Sequence, residues 1–215
     1  MTIRVLDLCC CSGAVSKGFM DAGAEYVEGW DIVDRPRYPY AFHQGDALEV
    51  LRDVAYLRTF GFIHISPPCQ AKCTLTLGSN ARFGKTYVDI YPEVRDLMYA
   101  SGVPGSIENP SSRPDMVLCG EMFGLGVIRH RKFELVNWSA SKPVHVKHRG
   151  RVRGWRHGVY YDGPYVQAYG NGGGKADVPE LQEAMGIHWT DVRKELTEAI
   201  PPAYGEYILR RFLAA

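Results

Sequence analysis

The stretch that decides the fold is Ile3-Arg4-Val5-Leu6-Asp7-Leu8, an apolar run whose length predicts a short buried strand. Small residues follow it, and the spacing over Ala14–Ala22 predicts a helix. Tyr26–Ile32 then predicts a second strand, and we expect a third strand just before Gly45-Asp46. Strands that alternate with helices in this way are typical of a parallel α/β sheet.

The alternation continues towards the middle of the chain and returns at its end. It predicts helices over Ala47–Phe60, Tyr87–Ala100, Pro179–Met185 and Pro202–Leu213, and strands over Phe62–Ile65, which Pro67-Pro68 stops, and over Gly105–Glu108. Ligands of such sheets bind at the carboxyl ends of the strands. We therefore expect Asp7, Asp31, Ser66–Gln70 and Glu108–Pro110 along one edge of the sheet.

The composition limits the class of protein. With 215 residues, 46% of them apolar, and 25 Lys and Arg against 24 Asp and Glu, the chain suits one globular domain rather than a disordered segment. No apolar run approaches the ~18 residues that a membrane-spanning helix needs, so we expect no membrane partner. Asp7 interrupts the first apolar run, which argues against a signal peptide, and we expect a cytoplasmic location.

Six cysteines in a chain without an export signal indicate free thiols rather than a disulfide framework. Cys9, Cys10 and Cys11 are consecutive, and Cys69 lies four positions before Cys73. None of the cysteines forms the Cys-x-x-Cys pairs of a structural zinc site. We therefore expect no metal.

Charge is segregated along the chain, although the formal net charge is only +1. Residues 135–161 contain no acidic residue and carry six fixed positive charges, at Lys142, Lys147, Arg149, Arg151, Arg153 and Arg156. Aromatic residues lie among them, which favours contact with nucleic-acid phosphates and bases over a merely solvated basic loop. Residues 135–177, called the basic segment below, end near Gly170–Lys175, whose composition predicts a flexible hinge.

Three features of the first half of the chain suit a nucleotide. Small residues after Leu8 let a ligand approach the backbone at a helix start, although any tight turn from strand to helix favours small residues. Asp31 ends the second strand, where an acid accepts hydrogen bonds from a ribose. Asp46 follows the third and is placed to bind an adenine amino group. Together they predict a cofactor that contains adenosine.

Cys69 follows a predicted buried strand directly and has two possible roles. A lone cysteine is most often a small buried hydrophobic residue, whereas a deprotonated thiol at a strand end is a nucleophile. Glu108 ends the next predicted strand, and Arg129-His130-Arg131 supplies two cations nearby in sequence order. The carboxylate and the two cations favour the role of Cys69 as a nucleophile.

In their order, these motifs resemble those of the DNA (cytosine-5) methyltransferase family, over residues 3–70, 104–135 and 180–213. The matching motifs are the cofactor loop at Asp7–Phe19, the proline–cysteine nucleophile at Pro68-Cys69-Gln70, the Glu-Asn motif at Glu108-Asn109, the paired arginines at Arg129 and Arg131, and the final cofactor motif at Ala199–Gly205.

The resemblance implies a Rossmann-like S-adenosylmethionine-dependent methyltransferase fold, with a mostly parallel central sheet and a small irregular basic insert. It implies methyl transfer from S-adenosylmethionine to carbon 5 of cytosine in double-stranded DNA, through a covalent cysteine adduct. Because the insert is small, we expect a short or relaxed target sequence. The implied division is a catalytic core at 1–134, a target-recognition segment at 135–177 and completing helices at 178–215. We expect a bacterial or phage-infected cell and no obligate protein partner.

The resemblance also implies roles for individual residues. The implied catalytic residues are Cys69, Glu108, Arg129 and Arg131. The implied cofactor-binding residues are Asp7, Leu8, Cys9, Ser12, Gly13, Trp30, Asp31, Ile32, Asp46, Pro68 and Tyr204. The implied DNA-binding residues are Gln70 and the six cations of the basic segment, Lys142, Lys147, Arg149, Arg151, Arg153 and Arg156.

The chain departs from the family pattern at Cys11 and Ala14, where the family has glycine, and at Pro110, where it has an apolar residue. Two other functions stay open. Ser66-Pro67-Pro68 resembles enzymes that methylate N4 of cytosine or N6 of adenine, although those have an aromatic residue at the position of Cys69. The second open function is that of a non-catalytic, nucleic-acid-binding relative of these enzymes. RNA also stays open as the acceptor in place of DNA.

Overall fold

A computed structural model describes residues 2–72, 82–84, 86–169 and 176–215 of the chain. Its main sheet contains the strands β1 (Arg4–Leu8), β2 (Tyr26–Asp31), β3 (Ala41–Gln44), β4 (Phe62–Ile65), β5 (Gly105–Glu108), β6 (Met116–Leu118) and β7 (Arg131–Val136). The helices are α1 (Ala14–Asp21), α2 (Ala47–Arg52), α3 (Val54–Leu57), α4 (Tyr91–Ser101), α5 (Val178–Met185), α6 (Arg193–Glu198) and α7 (Pro202–Leu213), with a 3₁₀ turn at Gly120–Phe123.

The seven strands are ordered β3-β2-β1-β4-β5-β7-β6, and β7 runs antiparallel to both of its neighbours. The pairs β1–β2, β1–β4, β2–β3 and β4–β5 are parallel. The strand order reverses between β1 and β4, which is where open sheets of this type form a ligand crevice. The predicted parallel α/β sheet is therefore confirmed, with an antiparallel strand near one edge.

Apolar residues cover both faces of the sheet. Val5 belongs to a cluster with Phe19 and Leu209, on the face covered by α1 and α7. Leu6, the next residue of β1, belongs to a second cluster with Leu51 of α2 and Met98 of α4. Burial on both faces explains why the strands have apolar runs rather than alternating patterns.

The packing of α1 on α7 depends on one glycine. A Cβ added at Gly18 would lie 1.9 Å from the carbonyl oxygen of Pro202, the first residue of α7. Since no side chain fits at that separation, glycine is what lets the two helices approach closely. Among the residues that the structure describes, no helix has the length and apolar character that a membrane span requires.

Two predicted helices differ from those observed. The single helix predicted over Ala47–Phe60 is wrong, because Asp53 ends α2 and its carboxylate caps α3 by accepting the backbone N–H of Tyr56 at 3.0 Å. The helix predicted from Tyr87 begins instead at Tyr91, since Pro92 favours the first turn of a helix.

The basic segment is irregular apart from one hairpin, formed by β8 (Gly154–Arg156) and β9 (Val159–Tyr161). His157 and Gly158 connect the two strands with φ values of 51° and 78°, as a two-residue hairpin turn requires. Tyr165 and Ala168, later in the segment, are buried. The hinge predicted at Gly170–Lys175 lies outside the described residues, and the division at 134 and 177 stays a prediction.

Candidate catalytic and cofactor site

The loop between β1 and α1 is tightly wound. Cys9, Cys11 and Gly13 all have positive φ, at 57°, 50° and 77°. The backbone N–H of Gly13 donates to the carbonyl oxygen of Cys10 at 2.9 Å, and the N–H of Cys11 donates to Asp31 Oδ2 at 3.0 Å. The left-handed backbone at Cys11 gives a physical reason for the glycine that the cytosine-5 family has there, because a side chain strains this conformation.

Asp7 and Ser12, two predicted cofactor residues, each have a buried oxygen with no partner. Asp7 Oδ1 and Ser12 Oγ make no hydrogen bond among the described residues. The other oxygen of Asp7 accepts the hydroxyl of Ser16, and Ser16 Oγ lies 2.8 Å from the hydroxyl of Tyr38. Burial raises the pKa of Asp7 to about 7. An unpaired buried oxygen is costly, so both groups suit a polar ligand at this loop.

Asp31, the predicted ribose acid, lies at the end of β2 and is already engaged. It accepts the N–H groups of Cys11 and Val33, both at 3.0 Å, and lies 3.1 Å from the guanidinium of Arg35. A ribose would therefore share this carboxylate with the protein or displace Arg35. Ile32, a predicted adenine contact, is 68% exposed beside it.

The predicted adenine contacts Trp30 and Asp46 lie on a common pocket of about 390 Å³, which Gln44, Gly45, Glu49, Val50, Asp53 and Tyr56 also line. The indole of Trp30 stacks on His43, with ring centroids 4.8 Å apart. Asp46 caps α2 by accepting the backbone N–H of Leu48 at 2.8 Å. A larger pocket of about 730 Å³, between Gly126 and Glu180, contains none of the predicted cofactor or catalytic residues.

The loop that contains Cys69 is held from two sides. The side-chain amide of Asn109 donates to the carbonyl oxygen of Pro67 at 3.3 Å. The imidazole of His64 lies 2.8 Å from Ser106 Oγ and 3.0 Å from Ser66 Oγ, and it bridges β4, β5 and the start of the loop. Complete burial lowers the pKa of His64 to about 3, which keeps it neutral.

Glu108 and Cys69 follow neighbouring strands. Ile65 at the end of β4 pairs with Ile107 of β5, so the Cys69 loop and Glu108 leave the sheet at the same edge. Cys69 and Gln70 are partly exposed, and Pro68 is exposed. The predicted catalytic thiol is therefore not enclosed in the apolar core.

Glu108 pairs with Arg131 across β5 and β7. Arg131 Nε lies 3.4 Å from Glu108 Oε1, and the two side chains are 28% and 13% exposed. Burial raises the pKa of Glu108, while Arg131 and Arg129 oppose that shift. The structure thus places a carboxyl with an increased tendency to hold its proton beside a partly exposed guanidinium.

Arg129, a predicted catalytic residue, is held by backbone carbonyl oxygens. Its guanidinium donates to the carbonyl oxygens of Ala168 and Ala199 at 2.8 Å and of Thr197 at 2.7 Å. Its φ is 39°, and burial lowers its pKa to about 9. Arg129 therefore fixes the entry to β7 against the C-terminal part of the chain.

Two predicted cofactor residues have no exposed surface. Tyr204 is 0% exposed, and its hydroxyl donates to the carbonyl oxygen of Arg129 at 2.8 Å. Leu8 is also 0% exposed, and its carbonyl oxygen accepts the N–H of Ser66 at 3.2 Å. In this structure neither offers a surface for direct contact with a cofactor, because both are enclosed by protein.

The predicted DNA-binding cations fall into two groups. Arg149 pairs with Glu121 at 2.9 Å, and Arg153 pairs with Glu180, so both have acidic partners within the protein. Lys142, Lys147, Arg151 and Arg156 are exposed. Since these four form no ion pair with a described acidic residue, they are the better candidates for phosphate contact.

The β8–β9 hairpin presents two aromatic residues that are not among the predicted site residues. Trp155 and Tyr160 are 64% and 52% exposed, and their rings meet edge to face at 5.6 Å. Arg156 lies in the same strand as Trp155. The turn at His157-Gly158, between two short aromatic runs, is the signal by which the hairpin is recognisable in the sequence.

Comparisons with known proteins support the fold. A scan of protein-family models and a search of curated proteins found no match. Among solved structures, the chain is similar to the methyltransferase EhMeth of Entamoeba histolytica, with a TM-score of 0.58 and 10% identity over 100% of this chain and 98% of that one.

The chain is also similar to parts of two larger proteins. A DNMT2 mutant of Spodoptera frugiperda has a TM-score of 0.49 at 16% identity, over 68% of this chain and 58% of that one. The Dnmt2 methyltransferase of S. pombe has a TM-score of 0.45 at 17% identity, over 66% of this chain and 52% of that one. The chain thus spans little more than half the length of these two proteins. The similarity to EhMeth, at 10% identity, shows the fold alone, which is the Rossmann-like fold of methyltransferases.

Proposed function

We propose that this protein transfers a methyl group from S-adenosylmethionine to carbon 5 of cytosine in DNA. The observation that carries the proposal is the Asn109–Pro67 hydrogen bond, which joins the Glu108 strand end to the Cys69 loop. The Cys69 thiol, the Glu108 carboxyl and the Arg131 guanidinium would therefore act together at one edge of the sheet.

The residues at the β1–α1 loop fit S-adenosylmethionine. Its ammonium and hydroxyl groups would supply partners for Asp7 Oδ1 and Ser12 Oγ, the unpaired oxygens at this loop. The pocket beside Trp30 and Asp46 would accept adenine, since it combines an aromatic wall with a carboxylate. The bound cofactor would supply an electrophilic methyl group.

Cys69 would act as a covalent nucleophile. Carbon 5 of cytosine is a weak nucleophile until a thiolate adds to carbon 6 and moves electron density onto carbon 5. Carbon 5 then takes the methyl group as its bond to the sulfonium sulfur breaks, which leaves S-adenosylhomocysteine. A base removes the carbon-5 proton, and the Cys69–carbon 6 bond breaks to restore the ring. The thiolate leaves unchanged, so the cysteine is a catalyst.

Glu108 and Arg131 would stabilise the charge that develops on the base. A protonated Glu108 would donate to ring nitrogen 3 while the thiolate adds, which general-acid catalysis requires. Arg131, partly exposed beside it, would donate to the exocyclic oxygen of the base. The raised pKa of Glu108 supports this role, because a proton must be present on the carboxyl when the base arrives.

DNA would bind chiefly through the basic segment. The base must leave the duplex to reach a buried carboxyl, at a cost of a few kcal/mol. Phosphate contacts from Lys142, Lys147, Arg151 and Arg156 would offset that cost. The exposed rings of Trp155 and Tyr160 suit stacking on bases or insertion into a groove.

A mechanism-based trap tests the proposal. An oligonucleotide duplex with 5-fluorocytosine is incubated with the protein and S-adenosylmethionine, and the mixture is separated under denaturing conditions. Fluorine cannot leave as a proton, so a carbon-5 enzyme should remain attached to the DNA through Cys69. We expect a cofactor-dependent adduct with the wild type and with Cys73→Ser, and none with Cys69→Ala.

The outcomes separate the open alternatives. Methylation of ordinary DNA without any adduct would contradict the proposal and favour an amino-group methyltransferase. Adduct formation with an RNA but not with DNA would correct the acceptor. Binding of DNA with neither methylation nor adduct would show a non-catalytic relative.

A further inference from the structure

Four potential metal ligands that the proposed function does not use converge on one point. The side chains of Cys119, His130, His145 and His148 each offer one ligand atom, and these four atoms all lie within 4.8 Å of one another. We call this group the Cys-His₃ cluster. It lies between the methyltransferase sheet and the basic segment, since two of its members come from each.

The sheet supplies one half of the cluster by its register. Cys119 directly follows β6, His130 directly precedes β7, and the terminal residues of those strands, Leu118 and Arg131, are paired. Cys119 and His130 therefore leave the β6–β7 ladder side by side. Cys119 is 0% exposed, so its sulfur is held in place by the surrounding protein.

The basic segment supplies the other half. His145 Nε2 lies 2.9 Å from His130 Nε2, and His148 Nε2 lies 3.3 Å from Cys119 Sγ. Next to the cluster, the Glu121 carboxylate accepts the Tyr165 hydroxyl at 2.5 Å and pairs with Arg149 at 2.9 Å. This network ties the turn after Cys119 to the residue after His148.

Two of the six pairs of ligand atoms lie near the separations of a tetrahedral zinc site. With zinc–nitrogen bonds of about 2.0 Å and zinc–sulfur bonds of about 2.3 Å, ligand atoms lie about 3.3 to 3.6 Å apart. The His130–His145 and Cys119–His148 pairs are at 2.9 and 3.3 Å, within a few tenths of an ångström of that range, and all the other pairs lie within 4.8 Å, so side-chain rotations would complete the site.

The chemistry of the ligands selects the metal. One thiol and three imidazoles make a soft site of sulfur and nitrogen, with no carboxylate or carbonyl ligand, which suits zinc rather than magnesium or calcium. Without a metal, three imidazoles would meet over a buried thiol, with centroid separations of 5.1 to 5.3 Å.

We propose that Cys119, His130, His145 and His148 bind one Zn²⁺ ion. Four protein ligands close the coordination shell, so the site is structural rather than catalytic. The ion would fasten the start of the basic segment to the sheet, directly beside Arg131 of the proposed active site. Cys119 Sγ now lies 3.2 Å from the carbonyl oxygen of Ile128. On binding, the ion would replace the thiol proton, which passes to solvent, and leave a thiolate ligand.

This proposal reverses the expectation of no metal that the cysteine spacing suggested. That expectation considered pairs of cysteines, whereas three of the four ligands are histidines. The ligands come from separate segments, and the β6–β7 pairing brings two of them together.

The test begins with the wild-type protein. Protein purified without chelator is analysed for metal by inductively coupled plasma mass spectrometry, and we expect about one zinc per chain. Replacement by Co²⁺ should produce the intense visible absorption of a tetrahedral site and a thiolate-to-cobalt band in the near ultraviolet. Neither measurement requires DNA or S-adenosylmethionine, so its failure is distinct from failure of the proposed function.

Variants then identify the ligands. His145→Ala, at an exposed position, should weaken zinc binding by about 100-fold or more. Cys119→Ser should abolish the near-ultraviolet cobalt band, which depends on the sulfur. His188→Ala, an exposed histidine outside the cluster, is the matched control and should bind zinc like the wild type.

Three results would overturn the proposal. The first is a wild-type protein that neither contains zinc nor gives the tetrahedral cobalt spectrum. The second is an unchanged zinc affinity in His145→Ala. The third is a near-ultraviolet cobalt band that persists in Cys119→Ser. The wild-type measurements decide the matter even if a variant fails to fold.

Discussion

The side-chain amide of Asn109 donates to the carbonyl oxygen of Pro67 at 3.3 Å, so the residue after Glu108 holds the loop that contains Cys69. Its Oδ1 meanwhile accepts the backbone N–H of Ser111 at 2.9 Å. Asn109 is 2% exposed and thus acts through these two contacts.

Asn109→Asp tests this connection while keeping the size of the side chain. The carboxylate still accepts from Ser111, but it cannot donate to Pro67 and instead faces a carbonyl oxygen. Because small displacements of reacting groups are costly, we expect adduct formation with 5-fluorocytosine to slow by about 10- to 100-fold. Adduct formation at the wild-type rate would show that the hydrogen bond does not position Cys69.

Glu108→Gln removes the carboxyl proton but preserves the shape of the side chain. If Glu108 protonates ring nitrogen 3, single-turnover methylation should slow by about 100-fold or more. DNA binding, measured by fluorescence anisotropy, should change little. Arg131→Lys provides the comparison, since it keeps the charge beside Glu108 but loses the planar guanidinium.

Asp7 in β1 and His64 in β4 are buried register partners. They make the free energy of unfolding depend on pH in opposite directions. The pKa of His64 is lowered from 6.5 to about 3, so only the unfolded chain binds this proton between those values. Stability therefore falls as pH falls from about 6.5 towards 3. The pKa of Asp7 is raised from 3.8 to about 7, so folding takes up a proton, and stability rises as pH falls from about 7 towards 4.

Replacing either residue should reveal the pH dependence of stability that the other residue contributes. Between pH 6.5 and 4.5, Asp7→Asn should lose stability more steeply on acidification than the wild type, and His64→Gln should lose less or gain. Each group changes the slope by at most about 1.4 kcal/mol per pH unit. Urea unfolding at several pH values measures the slopes, and parallel curves for all three proteins would contradict both shifts.

Cys11 has a φ of 50° in the cofactor loop, a backbone conformation that disfavours side chains. Cys11→Gly should relieve the strain, whereas Cys11→Ala keeps a Cβ at the same position. We expect the glycine variant to be more stable than the alanine variant by about 1 kcal/mol in chemical denaturation. Equal stabilities would mean that the loop relaxes when the sulfur is removed.

The two groups of basic residues should differ in the salt dependence of DNA binding. Arg151→Ala or Arg156→Ala should lower the slope of log K against log salt by about 0.9 if each cation neutralises one phosphate. Arg149→Ala should change the slope less, because Glu121 already pairs with this guanidinium, and it should lower the melting temperature instead. A larger change of the slope in Arg149→Ala than in Arg151→Ala or Arg156→Ala would contradict this division of the DNA-binding residues.

The parts of the fold that depend on local signals were predictable. β4 and β5 were predicted residue for residue, because both are short buried segments with a clear end, at Pro67-Pro68 after β4 and at the charged Glu108 in β5. The short strand β6 was not predicted, since Met116–Leu118 is stabilised by its pairing with β7 rather than by its own pattern.

The residues of the candidate site also divide into those that local sequence signals predict and those that only tertiary structure reveals. Cys69, Glu108 and Arg131 were recognisable because each belongs to a motif at a strand end. The carbonyl partners of Arg129 and the acidic partners of Arg149 and Arg153 were not, because those contacts join residues that only tertiary structure brings together. The Cys-His₃ cluster was missed for the same reason.

The contact of Gly18 with Pro202 has a consequence for synthesis of the chain on the ribosome. The helix that follows the cofactor loop is covered by α7, which is translated after the sheet and the basic segment. A nascent polypeptide that stops before α7 leaves Phe19 and its apolar neighbours facing water. The loop between β1 and α1 therefore gains this support only after α7 has been translated, so termination before α7 would leave the first helix of the sheet uncovered.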